Sequence, residues 1–371
     1  MKIFKESASL ILAARHMQKY IRSSPPTNFQ YNYNLLCLKR HHNSNFLPST
    51  YVFPGGVVHS SDADLKWHNL FSTFGVDTNS FASLVPNSAV RPRIFKPKPN
   101  ELPKEISLRI TAIRETFEEC GILICKKSPN HLHSDWAEHV EISEIELHDW
   151  QTKVHNDATE FYTLCENFKC YPDLWALYEW SNWLTPTYFP GRRYDTVFYL
   201  ACVPIMLRTM CEVTEIEDLK VKFYSMWDVP GNFIFSSSGI VLPPPQQYEI
   251  ARIAKFESID NLLDFAIDRS KMGVRLNLPV KVELKDGKVH VLPGDSMYPK
   301  HANLFDEQII DRTDVTISEF RDISPIKNRM EFFNLEVKEL FVQNFDSVDG
   351  HLPPMQLKNI RVKQTHKKSK L

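Results

Sequence analysis

Three glutamates on one side of a helix whose other side is apolar set the tightest limit on what this chain can become. At about 100° per residue, Ile106, Ile110, Ile113 and Phe117 fall on one stripe of a helix spanning 106 to 119. Glu115, Glu118 and Glu119 fall within an arc of roughly 100° on the opposite side. Pro103 suits the helix start and Gly121 a left-handed stop. Carboxylates at i, i+3 and i+4 repel one another, and the C-terminal end of a helix disfavours negative charge. A hard divalent cation would neutralise them, and Mg²⁺ prefers carboxylate oxygens together with water and substrate phosphate. Arg114 can reach Glu118 one turn on. Taken alone, E-x-x-E-E also reads as a solvated acidic face.

The 371 residues, 43% of them hydrophobic, can bury one large core or two moderate ones. A net charge of −1 gives no general attraction to nucleic acid or acidic membrane. The longest apolar run, Val197 to Leu207, contains Pro204 and is too short to span a bilayer. The stretch from Ser7 to Ala14 reads as a first strand rather than a secretory signal, so a soluble protein is expected. Seven cysteines (37, 120, 125, 165, 170, 202, 211) include no Cys-x-x-Cys, and two Cys-x4-Cys pairs lack histidine partners. Buried reduced thiols are expected.

Strands are expected at Ser9–Ala14, Tyr33–Lys39 and Tyr51–Phe53. The segment 59–104, with five prolines and little periodicity, reads as a long surface insertion. Residues 126–184 read as helical: Trp150, Val154, Phe161, Leu164 and Phe168 mark one helix, and Leu174, Leu177, Tyr178 and Trp180 another. Strand character returns at 196–203. Beyond Pro243–Pro245, two helices (Tyr248–Phe256, Ile259–Ile267) precede a hairpin around Asp286-Gly287, a type I′ turn with two positive φ angles. The expected division is a first domain at 1–240, an α+β extension at 241–356 and a basic, mobile tail at 357–371.

Arg114-Glu-Thr-Phe-Glu-Glu-Cys-Gly-Ile122, preceded far upstream by Phe53-Pro-Gly-Gly56, resembles the Nudix box. That box reads Gly, five residues, Glu, seven residues, then Arg-Glu-apolar-x-Glu-Glu-x-Gly-apolar. Gly56, Arg114 and Gly121 occupy its structural positions, with Thr116 at an apolar place. In an unbroken box the arginine would fall at position 70, so the halves are split by 44 residues (114 − 70). The intervening acid falls on Asp62 counted from Gly56, or on Ile106, beside Glu105, counted from Arg114. The split resembles the peroxisomal acyl-coenzyme A diphosphatase branch of the family. So do Leu35–Arg40, Trp183–Pro186, Arg192–Thr196, Leu242–Gln246 and Val291–Asp295.

The resemblance implies an α/β/α sandwich with a mixed sheet. It implies Mg²⁺- or Mn²⁺-dependent hydrolysis of coenzyme A and its acyl esters to adenosine 3′,5′-bisphosphate and (acyl-)4′-phosphopantetheine. Glu115, Glu118 and Glu119 would hold metal, with Glu115 and Glu118 catalytic and the identity of the base open within the set. Arg192 and Arg193 would meet the 3′-phosphate, with Lys39-Arg40 as a second option; either pair also reads as structural. Trp180, Trp183 and Tyr188 would line a pocket or belong to the core. Glu212 and Glu215 would add a carboxylate or be surface glutamates. His131-x-His133 and His41-His42 are not expected to bind metal. Ser369-Lys370-Leu371 reads as a peroxisomal address, implying the matrix and an import receptor as partner. Two other readings stay open: a Nudix hydrolase of NADH or ADP-ribose, and a Nudix-fold binding module without catalysis, which need not retain all three glutamates.

Overall fold

The computed structural model describes residues 4–16, 30–41, 49–87, 90–128, 134–210, 213–216, 219–222, 224–235, 240–333 and 337–361. Two long strands, β1 (Phe4–Arg15) and a later one at Arg193–Val203, run parallel at the centre, from Phe4 opposite Arg193 to Ala14 opposite Val203. Successive side chains of a strand point to opposite faces. Ala8, Leu10, Leu12 and Ala14 therefore enter one core, while Ile11 and Ala13 enter another. Burial on both faces makes β1 read as a continuous apolar run.

Around this pair lie β2 (Tyr33–Lys39), β3 (Tyr51–Val52), β4 (Gly55–Val57), β5 (Tyr178–Leu184), β6 (Arg193–Val203), β7 (Tyr224–Asp228) and β8 (Leu276–Asn277). The sheet order is β7-β2-β1-β6-β5-β8, with β3 on β2 and β4 on β1. One face is covered by α1 (Trp67–Thr73), α2 (Lys104–Cys120), α3 (Glu144–Asn156) and α4 (Glu160–Asn167). The other is covered by α5 (Pro244–Ile253) and α6 (Ile259–Ser270). This is the expected α/β/α sandwich with a mixed sheet. A second sheet follows, built from β9 (Val280–Leu284), β10 (Gly287–Val291), β11 (Ile309–Arg312), β12 (Lys327–Phe333), β13 (Val337–Gln343) and β14 (Leu357–Arg361). Its order is β11-β9-β10-β12-β13-β14. Among the described residues no helix is long and apolar enough to cross a membrane.

Several expectations are corrected. The helical stretch expected over 126–184 stops at Asn167, and Asp157 divides it, its carboxylate accepting from Thr159 N–H at 2.9 Å. Tyr178–Leu184 is instead strand β5, with all seven side chains buried. Burial on both faces removes the alternation that marks a strand. The segment 59–104 is not a surface excursion, because Trp67, Phe71, Phe81 and Ile94 are core residues. Phe81 stacks on Trp175 at 5.6 Å, and Phe71 meets Tyr171 edge-on at 5.7 Å. Trp67 and Phe71 lie on the short helix α1, and Phe81 and Ile94 on 3-10 turns, elements too short to show a period.

The architecture changes near Val280 rather than at 240, because α5 and α6 complete the first sandwich. The tail expected from Leu357 begins as strand β14, which pairs with β13. In the hairpin, Leu284 pairs with Gly287, so Lys285 and Asp286 form the turn, and none of Lys285, Asp286 and Gly287 has positive φ. Gly287 is required instead because a Cβ there would fall on the Phe332 carbonyl. The six described cysteines are free and buried. Cys125, Cys165 and Cys170 bring their sulfurs within 4.8 Å of one another, so one Cys-x4-Cys pair meets a member of the other.

Helix α2 starts after Pro103 and ends at Gly121, whose φ of 71° is left-handed and whose N–H donates to Phe117 O at 2.8 Å. Gln151 from α3 supports the same end, its Nε2 donating to the carbonyls of Phe117, Glu118 and Met210. An alanine at 121 would hold a strained φ and press on Leu147 at 3.1 Å. Gly121→Ala should cost about 1–2 kcal/mol, read as a lower midpoint in thermal denaturation; an unchanged midpoint would contradict this account of the helix end.

Candidate active site

Arg114 joins the two halves of the split motif. It is buried, with 3% of its side chain exposed, and its Nε and Nη2 donate to the two oxygens of buried Asp62 at 2.8 and 2.9 Å. Nη2 also donates to Val57 O at 3.1 Å, and Nη1 reaches Glu118 at 2.5 Å and Glu115 at 3.0 Å. Asp62 accepts further bonds from Thr111 Oγ1 and the His59 N–H. Asp62 is thus the upstream acid of the motif, and it faces the arginine rather than the glutamates. Ile106 is core, and Glu105 pairs with Arg91 at 3.3 Å. Burial opposes the charge on Arg114, but Glu115, Asp62 and Glu118 raise its pKa well above the usual value.

Glu115 and Glu119 press against the glycine turn. Glu119 accepts from the Gly55 N–H at 2.9 Å, and a Cβ at Gly56 would fall on the Glu115 carboxylate. Gly56 is therefore needed for space. Glu118 turns to Arg114 with one oxygen, and its other lies 3.8 Å from His155 Nδ1. The three carboxylates do not form a group with oxygens all within 4.8 Å of one another. Burial pushes the Glu115 carboxyl up to about 7, against the lowering effect of Arg114, with Glu118 and Asp62 adding to the rise. Burial likewise raises Glu119 to about 8, Glu115 adding to it and the Gly55 N–H opposing. Two half-buried carboxylates one turn apart, backed by a glycine turn and equipped with oxygen donors only, fit a hard divalent cation.

Gly55, Gly56 and Val57 also line a cavity of about 450 Å³ on the far face of the sheet. Gly55 and Gly56 thus touch the helix carboxylates and also line this space. Trp183 and Tyr188 line it, as does Arg40, whose pKa is lowered by burial with Glu119 opposing. Trp180 belongs to the core, its indole N–H donating to Glu249 at 2.9 Å.

Neither Arg192 nor Arg193 lines the cavity. Arg192 is exposed, and Arg193 is buried, donating from Nε to Thr185 O at 2.9 Å with its guanidinium 5.6 Å over Phe4. Strand parity explains this, since Tyr194, Thr196 and Phe198 take the cavity side of β6 and Arg193 takes the other. The alternative cation, Arg40, is the one placed at the cavity; Lys39 is exposed. Of Glu215 only the strand Val213–Ile216 is described; Glu212, His42, His131 and His133 lie outside the described residues. Sequence reading missed Gln151 and His155, which reach the site from α3 without any local motif.

A carboxyl with a raised folded pKa keeps its proton after the unfolded chain, near 4.3 for glutamate, has released it. Without divalent metal, stability should therefore fall as pH rises from about 5 to 8, the window between unfolded and folded titrations. Glu119→Gln, which can still accept from Gly55, should flatten that fall, and added divalent ion should reverse it at pH 8 in the wild type only. Thermal melts in chelator at pH 5, 6, 7 and 8 test this; parallel curves for the two proteins would refute it.

Residues 4–253 match the family described as the NUDT19 Nudix domain, and residues 282–342 match the NUDT19 C-terminal domain. An acyl-coenzyme A diphosphatase NUDT19 of Xenopus laevis is 35% identical over 328 residues, 83% of this chain and 84% of that protein. Those of Gallus gallus and Homo sapiens are 34% and 32% identical, covering 95% and 80% of this chain and 95% and 80% of theirs. A solved Nudix hydrolase from Alicyclobacillus acidocaldarius is 16% identical with a TM-score of 0.49, covering 71% of this chain and 97% of that one. Nudix hydrolases as a family use divalent metal, which the oxygen donors of α2 fit. With a family match across most of its length and relatives at this identity, the chain belongs to the NUDT19 family of Nudix hydrolases.

Proposed function

We propose that this protein hydrolyses the diphosphate of coenzyme A and acyl-coenzyme A, using Mg²⁺ or Mn²⁺, to adenosine 3′,5′-bisphosphate and (acyl-)4′-phosphopantetheine. The observation that carries this reading is the glycine turn with Glu115 and Glu119 on one side and a large cavity on the other. The named activity of the relatives gives the substrate class.

Glu115, Glu118 and Glu119 would hold the cation, which when bound stabilises charge on the diphosphate oxygens and sharpens a water as nucleophile. The chain's own residues do the rest. Arg114 fixes Glu115 and Glu118 from behind, and the Gly55 N–H fixes Glu119. Glu118, with one oxygen turned from Arg114 toward His155, takes the proton from the attacking water. Arg40, beside the glycine turn, supplies positive charge to a phosphate. The protein is proposed to act in the peroxisomal matrix, delivered by an import receptor through Ser369-Lys370-Leu371, which lies outside the described residues.

Three experiments test these proposals. Purified protein with Mg²⁺ should release adenosine 3′,5′-bisphosphate from coenzyme A and its esters and little AMP from NADH or ADP-ribose. Removing a general base typically costs about 10²–10⁴ in rate, so Glu118→Gln should slow turnover at least 100-fold, and a loss below tenfold would remove Glu118 from both roles. A fluorescent fusion ending in the native tail should collect in peroxisomes and disperse when the last three residues are deleted; unchanged distribution would rule the signal out.

A further inference from the structure

We propose that the cavity takes the uncharged arm of the substrate, the pantetheine and its acyl chain, and that the C-terminal sheet limits chain length. This rests on the coenzyme A reading above and assigns which half of the substrate lies where.

Position comes first. Val57 pairs with Ser7, Ser7 with Thr196, and Thr196 with Trp183, so the cavity floor crosses three strand spacings from the glycine turn. At roughly 4.8 Å each, that is about 14 Å leading away from the carboxylates. A substrate cleaved at Gly55–Gly56 can extend one of its halves along this floor.

Charge decides which half. Arg40, at the glycine end, is the one lysine or arginine among the described residues that line the cavity, and no acidic side chain lines it. Lys281 and Lys288 stand over the Tyr188 and Phe332 rings at 5.5 and 5.6 Å without lining the cavity, so among the described residues a nucleotide with a further phosphate on its ribose would find no cation in the wall beyond that end. An acylated arm carries no charge past the diphosphate.

The polar atoms match an amide chain. Tyr188 and Gln246 line the cavity, and the Tyr188 hydroxyl and Gln246 Oε1 are buried without a hydrogen-bond partner among the described residues. An acceptor and a hydroxyl suit the N–H and C=O groups of the two amides in a pantetheine arm. Buried polar groups ordinarily find partners, and here the ligand supplies them.

The far wall belongs to the second sheet. His290 from β10 packs on Tyr188 at 5.0 Å and on Phe332 from β12 at 4.5 Å, and Met330 lies one pleat along. All line the cavity, and all but Tyr188 come from the C-terminal sheet. The acyl end thus meets a surface outside the catalytic sandwich, and the size of Phe332 sets how long a chain fits.

Binding without chemistry tests this. The full chain in chelator is titrated calorimetrically with acetyl-, hexanoyl- and dodecanoyl-pantetheine and, separately, with adenosine 3′,5′-bisphosphate. Affinity should rise from acetyl to hexanoyl. Phe332→Trp should weaken dodecanoyl relative to acetyl by at least fivefold, and Phe332→Ala should shift that ratio the other way. Tyr188→Phe, which keeps the ring and so the fold, should weaken all three acyl arms about three- to tenfold. The proposal is overturned if the chain-length ratio is the same in wild type and both Phe332 variants, or if adenosine 3′,5′-bisphosphate displaces the acyl arm. Because no hydrolysis is measured, an enzyme that fails to cleave coenzyme A would refute the activity while leaving this result readable.

Discussion

The site depends on one buried guanidinium. An arginine removed from water costs several kcal/mol unless geometry and hydrogen bonds compensate, and Arg114 is compensated on every side: by Asp62 bidentately, by Glu115 and Glu118, and by the Val57 carbonyl. These partners come from separate pieces of chain, a short strand, a turn and the helix itself. Satisfying one charge therefore fixes all three relative to each other, and a bidentate pair fixes orientation as well as distance. The glutamates inherit their placement from this arrangement rather than from the helix alone.

The same network explains how the motif survives its interruption. Arg114 and Asp62 are 52 residues apart. Closing a longer loop is cheap, about 0.6 kcal/mol for each doubling of length, but a loop that only hung from the surface would add nothing in return. Here the intervening chain buries Phe71 and Phe81 against Tyr171 and Trp175, and Trp67 against Phe161 and Tyr162, so it covers the same core on which α2 lies. The insertion acts as a part of the sandwich.

What was legible in the sequence followed from short-range physics. Helix α2, its stop at Gly121 and its row of glutamates could be read because period, cap and charge all lie within one segment. Strands β1 and β2 could be read from apolar runs. What stayed hidden required the third dimension. Strand β5 looks helical because both faces are buried and its mixture of Trp, Ser and Asn has no clean alternation. Arg193 was expected at the substrate because it precedes a core strand, yet strand parity turns it away, and parity is fixed only by pairing with β1. Asp62 could be counted from one end of the motif but not from the other, and only its bond to Arg114 decides between the two. Gln151 and His155 have no local signature.

The glycine turn divides labour in a way the fold alone does not suggest. The carboxylates lie on the helical layer and the cavity on the opposite layer, with two residues lacking side chains in contact with both. A sheet normally insulates the cores it separates; here its glycine turn is shared by both. Changes in the appended sheet can therefore reshape the cavity wall without disturbing the carboxylates of α2.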